Sequence, residues 1–124
     1  MDPIACGEQW RQRFGLLEWT VRVVPVAHEY VNSEQRHTAE SIAYSDCLQA
    51  RINVATGFPG APRPDAEVDA DLAHEMAHVA LAEMVDVAHA IAEQVPTEAR
   101  PLAEEWLREA EERTVRRLEA ALTQ

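Results

Sequence analysis

An α+β domain, with a small sheet covered by helices, is what this sequence predicts. Three observations lead there. Two long stretches, 66–94 and 98–122, carry apolar residues at helical spacing and are separated by Val95-Pro96-Thr97. Three shorter stretches between residues 19 and 55 are rich in β-branched and aromatic residues and alternate in part. A chain of 124 residues, 47% hydrophobic and 27% charged, has the size and make-up of one globular domain over residues 1–124.

Each element follows from its residues. Glu8 to Phe14 reads as a short helix stopped by Gly15. Trp19 to Val26 reads as a strand, with Pro25 near its end. Ala27 to Thr38 is polar and mixed, which predicts a loop. Glu40 to Ser45 is a second strand, Asp46 to Gln49 a turn, and Ala50 to Ala55 a third strand. So short a connection suits an antiparallel hairpin. Thr56 to Pro64 is punctuated by Gly57, Pro59, Gly60, Pro62 and Pro64 and predicts a loop. A long helix follows from Ala66 to Gln94, with Asp65 or Asp69 as its cap. Its apolar side is Leu72, Met76, Val79, Ala80 and Val87. The last helix, Glu98 to Leu122, has a stripe of Leu107, Thr114, Val115, Leu118, Ala121 and Leu122.

The net charge is −11 and the pI about 4.8, with every basic residue an arginine. Such a surface argues against nucleic acid and anionic membranes as partners. No stretch approaches the apolar length of a membrane span, and the N-terminus has no basic-then-apolar signal. A cytoplasmic location is expected. The two cysteines, Cys6 and Cys47, form no CxxC pair, so a cysteine-based zinc site is excluded. They read as free thiols, with a Cys6–Cys47 disulfide as the alternative for an exported chain.

Within Asp71 to Val85 stands His74-Glu75-Met76-Ala77-His78, an HExxH pattern. Positions four apart on a helix lie one turn up and about 40° round, so the two imidazoles can grip one metal ion. Glu75 is displaced by about 100° and can reach a water beside the metal instead of the metal itself. This is the geometry of a zinc hydrolase in which two histidines are ligands and the glutamate is the general base. The bland alternative is two surface histidines on an alanine-rich helix.

The chain resembles a minimal zincin, in particular the small gluzincin-like metallopeptidases of phages and bacteria. The resemblance rests on Gly15-Leu-Leu-Glu-Trp19-Thr-Val, on Ala50-Arg-Ile-Asn-Val54 just before the HExxH helix, and on the Glu-rich Glu111-Glu112-Arg-Thr-Val-Arg-Arg-Leu118. It implies a sheet whose strand before the HExxH helix is the edge along which an extended peptide lies. Ala50, Arg51, Ile52, Asn53 and Val54 would then bind substrate.

A catalytic zinc keeps three protein ligands. Leu81 and Met84 occupy the positions where an HExxHxxGxxH site would have its Gly and third His, which excludes that class. His89 lies about 16 Å along the helix from His78, too far for a ligand. His28 and His37 read as solvated loop histidines. The gluzincin resemblance points instead to a glutamate of the final helix. With Leu118 as the centre of the stripe, Glu111 falls about 20° away and Glu112 about 120°. Glu111 is therefore the favoured third ligand, and Glu112 the alternative. Glu104 also points inward but lies nearer the helix start.

The expected activity is zinc-dependent peptide-bond hydrolysis, with one Zn²⁺ per chain and Glu75 as general base. Tyr30, Tyr44 and His89 are available to stabilise an oxyanion, and nothing selects among them. The rival reading is a non-enzymatic zincin-fold binding or phage accessory protein with a vestigial or structural metal site. The intact HExxH argues against it.

Overall fold

The computed structural model describes residues 1–27, 30–32, 35–58 and 61–123, and the side chains among them except those of 30–32, 35–37 and 58. His28 lies outside the described residues, and so do the side chains of Tyr30 and His37. The chain runs α1 (Pro3–Arg13), β1 (Thr20–Val26), β2 (Tyr30–Asn32), β3 (Gln35–His37), β4 (Ala39–Tyr44), β5 (Gln49–Ala55), β6 (Gly57–Phe58), β7 (Ala61–Pro62) and α2 (Asp65–Ala92). A 3₁₀ turn, Thr97–Ala99, then leads into α3 (Arg100–Leu122). The architecture is the α+β layout expected: a helix, a small sheet, the long HExxH helix and a final helix.

The three-stranded sheet has the order β1-β5-β4. β4 and β5 form the expected antiparallel hairpin, with Glu40 opposite Asn53 and Ala43 opposite Ala50. Leu48, with φ of 53°, makes the turn between them. β1 pairs with β5 in parallel, Val23 opposite Ile52. This arrangement corrects the expectation for Ala50, Arg51, Ile52, Asn53 and Val54. β5 is the central strand, its main chain bonded on both sides, so it has no free edge to offer a peptide. The edge strand of the same hairpin is β4. The stretches expected to be loops contain two minor hairpins, β2–β3 and β6–β7, too short to show as periodic patterns.

β5 buries alternate residues, Ala50, Ile52 and Val54, on the face covered by helix. Against them α2 sets Val68, Leu72, Ala73, Met76, Val79 and Ala82. Ile52, Val54, Leu72 and Met76 are fully buried; truncating a side chain such as Ile52 to alanine costs about 2–5 kcal/mol in sites of this kind. Val87, expected on this side, is exposed, as are Met84 and Ile91.

α1 begins earlier than its apolar residues imply, because Asp2 caps it by accepting from Ile4 N–H at 3.0 Å. It ends in a Schellman turn: Leu16 N–H reaches Arg11 C=O, Gly15 N–H reaches Gln12 C=O, and Gly15 takes φ of 70°. Gly7 lets α1 lie close on β1; a Cβ there would be 2.5 Å from Val23 Cγ2.

Two polar ties fix the start of α2. Asp69 accepts from Trp10 Nε1 at 2.8 Å and from the Cys6 thiol at 3.0 Å. Buried Arg63 donates to Ala55 C=O at 2.9 Å and to Asp71 Oδ2 at 2.8 Å, joining the end of β5 to α2. Neither Asp65 nor Asp69 caps the helix. Pro64 stands at the cap without a side-chain bond, Asp65 is the first helical residue, and Asp69 is committed to α1. Cys6 and Cys47 are free thiols. Among the described residues no helix is long and apolar enough to cross a membrane.

Candidate metal centre

α2 is helical without a break from Asp65 to Ala92, so His74 and His78 project from one side as their spacing requires. Their rings meet edge to face, with centroids 5.0 Å apart. α3 returns antiparallel to α2 after the Val95-Pro96 interruption and brings three carboxylates to them. Glu112 lies between the two imidazoles: Oε1 is 3.1 Å from His78 Nε2 and Oε2 is 3.7 Å from His74 Nε2. Glu111 Oε2 is 2.5 Å from His78 Nδ1. Glu119 Oε1 is 3.1 Å from His74 Nδ1.

Among the described residues, His74, His78 and Glu112 are the group able to hold a metal ion, with ligand atoms all within 4.8 Å of one another. Two imidazoles and one carboxylate are a donor set suited to zinc. One ligand atom from each residue lies within 4.8 Å of the other two, near enough for one ion to reach all three. The residues present therefore fit a single ion.

Glu111, favoured from the sequence, takes a different place, behind the Nδ1 atom of His78. The reason is the centre of the buried stripe. Val115 is the fully buried residue of α3, while Leu118 is only half-buried. Measured from Val115, Glu111 lies about 40° to one side and Glu112 about 60° to the other, so both border the interface. Glu119, about 40° from Val115 on the Glu112 side, belongs to the site too. Its signal was its place one heptad after Glu112. Glu104 is exposed and stays out of the cluster. So does His89, exposed in the last turn of the same unbroken helix.

Glu75 lies beside the two histidines and shares a cleft with His78. It is 8% exposed, and its Oε2 is buried with no hydrogen-bond partner. Burial raises its pKa; His78, His74 and a hydrogen bond from Ser41 act in the opposite direction, and Asp71 raises it further. Ser41 belongs to β4, so the edge strand and the HExxH helix meet at this carboxylate.

Between them runs a cleft of about 380 Å³, lined by Ala39, Ser41 and Ala43 of β4 and by Glu75, His78 and Ala82 of α2, among others. Its far end is tied by a hydrogen bond from the Ser45 hydroxyl to Asp86 Oδ2. Ala55 N–H donates to Thr38 C=O at 2.8 Å. The alternation of an antiparallel ladder then turns the main chain of Ala39, Ser41 and Ala43 outward. Tyr44 lies on the opposite face of the sheet, beside Arg22 and Arg51, and does not line the cleft. No protein-family model, curated protein or solved structure matches the chain, so the chemistry of this site rests on its own geometry.

Proposed function

We propose that the protein is a zinc-dependent peptidase. The observation that carries this reading is the position of Glu75. A buried carboxylate with one unpartnered oxygen lies beside a His-His-Glu donor set and opens on a cleft. A carboxylate so placed costs stability, and a perturbed carboxylate in a cleft is a candidate for acid–base work.

His74, His78 and Glu112 would hold the ion. Bound there, zinc would supply a Lewis acid that polarises a substrate carbonyl and makes a water acidic enough to deprotonate near neutral pH. Glu75 takes a proton from the attacking water as its oxygen bonds to the carbonyl carbon. It then passes that proton to the amine as the C–N bond breaks. Ser41 holds the Glu75 carboxylate while it does so. The outward N–H and C=O groups of Ala39, Ser41 and Ala43 offer an extended peptide a strand to pair with. The substrate-binding strand in this reading is therefore β4 and not β5.

Metal analysis and one substitution test the reading. The purified protein should bind one zinc per chain, and Glu75→Gln should retain zinc and fold while losing peptide hydrolysis. A well-folded protein with no affinity for added zinc would overturn the proposal. A Glu75→Gln variant that loses zinc as completely as His74→Ala would overturn the role given to Glu75.

A further inference from the structure

Both histidines of the donor set have a second carboxylate behind them. Glu119 meets His74 at Nδ1, 3.1 Å away, and Glu111 meets His78 at Nδ1, 2.5 Å away. All four side chains are partly withdrawn from water: His78 is 16% exposed, Glu111 21%, Glu119 22% and His74 32%. The two contacts come from opposite sides of the α3 stripe, and they leave both Nε2 atoms turned towards Glu112.

An ionised carboxylate accepts and cannot donate, so each contact favours the tautomer with its proton on Nδ1; with an ion between them, Nε2 and the Glu112 carboxylate would both be ligands to it. A neutral imidazole with its proton on Nδ1 has its lone pair on Nε2, the atom that faces the common centre. The long glutamate side chains also fix the ring planes, which a helix backbone alone leaves free to rotate about χ2. Three carboxylates crowded on one face of α3 repel one another. Packing does not explain their presence, since Val115 is the only residue of α3 that is fully buried.

We propose that Glu111 and Glu119 are positioning residues that set the tautomer and orientation of His78 and His74, so that both imidazoles present Nε2 to the ion. The inference rests on the zinc reading above. It adds that α3 carries the machinery that organises the site as well as one of its ligands. Outer partners of this kind govern metal affinity by roughly 10–100-fold.

The test uses the full-length protein with zinc. Affinity is measured by competition with a chromophoric chelator, and the ring nitrogens by long-range ¹H–¹⁵N correlation on histidine-labelled protein. Glu119→Ala and Glu111→Ala should each bind zinc about 10–100-fold more weakly. The slowly exchanging Nδ1–H resonance of the matching histidine should be lost in each. Glu119→Gln, whose amide oxygen still accepts from Nδ1–H, should keep that resonance and bind within a few-fold of wild type. This variant separates positioning from a folding defect, as does the circular dichroism of the metal-free alanine variants. Wild-type protein that takes up zinc while both alanine variants bind it equally well overturns the inference alone. Zinc bound through Nδ1 of either histidine overturns it as well. A wild type that takes up no zinc overturns both the inference and the peptidase reading.

Discussion

Glu112 Oε1 stands 3.1 Å from His78 Nε2, across the gap between α2 and α3. Its other oxygen faces His74 Nε2 at 3.7 Å, so one side chain spans both imidazoles. Glu112→Gln should weaken zinc binding by orders of magnitude, because an amide is a poor ligand of nearly the same shape. Glu111→Gln keeps an acceptor for His78 Nδ1–H and should lose about tenfold at most. Titration of each variant with zinc against a competing chelator gives the comparison. The reverse order would make Glu111 the ligand.

The metal-free protein should gain stability when Glu75 is made unable to ionise. Burial holds the folded-state pKa of this carboxylate above its ordinary value of 4.5. Ionisation is then harder in the folded state than in the unfolded chain. Stability contributed by the neutral acid is present below pH 4.5 and is lost as pH rises to the higher folded-state value. Urea unfolding of metal-free Glu75→Gln at pH 7 should show a gain on the order of 1 kcal/mol, in line with relief of one buried unsatisfied group. The gain should vanish at pH 4. An equal effect at both values would assign it to packing instead.

Trp10→Phe keeps most of the ring against the core and removes the N–H that meets Asp69 Oδ1 at 2.8 Å. A hydrogen bond to a charged acceptor contributes about 1.5–3 kcal/mol, and a loss of this size should appear in urea unfolding. A loss below about 0.5 kcal/mol, the range of a neutral surface substitution, would show that Asp69 finds another donor.

The two thiols should differ in reactivity. Burial, reinforced by Asp69, pushes Cys6 up to about 12, which keeps it protonated across the range where thiolates are alkylated. Cys47 is exposed. Iodoacetamide at pH 8 should label Cys47 in the native protein and reach Cys6 only after denaturation, as read by peptide mass spectrometry. Equal labelling rates would mean that α1 detaches readily from α2.

Local patterns were legible in the sequence, and long-range pairings were not. The alternation of Ala50, Ile52 and Val54 and the short turn before them announced the β4–β5 hairpin, because both strands are neighbours in the chain. Nothing local told that β1 would pair with β5 in parallel, with Val23 opposite Ile52. That pairing makes β5 central and moves the open edge to β4. His74, Glu75 and His78 were readable because four-residue spacing on a helix has one geometric outcome. The identity of the third donor depended on which residue of α3 is most deeply buried. Leu118 is larger than Val115, but Val115 meets α2, and the shift of about 60° between those centres brings Glu112 and Glu119 to the site.

The candidate metal donors and the cleft wall come from separate parts of the chain. His74, His78 and Glu112, with Glu111 and Glu119 behind them, all belong to one helical hairpin formed by α2 and α3. The opposing wall is β4, which meets that hairpin through Ser41 at Glu75; the turn after β4 meets it through Ser45 at Asp86. Such a division separates the inheritance of chemistry from the inheritance of selectivity. Under the peptidase proposal, substitutions along Ala39–Tyr44 change what the cleft accepts while His74, His78 and Glu112 keep their places, so descendants of this chain could diversify in target without rebuilding the donor set.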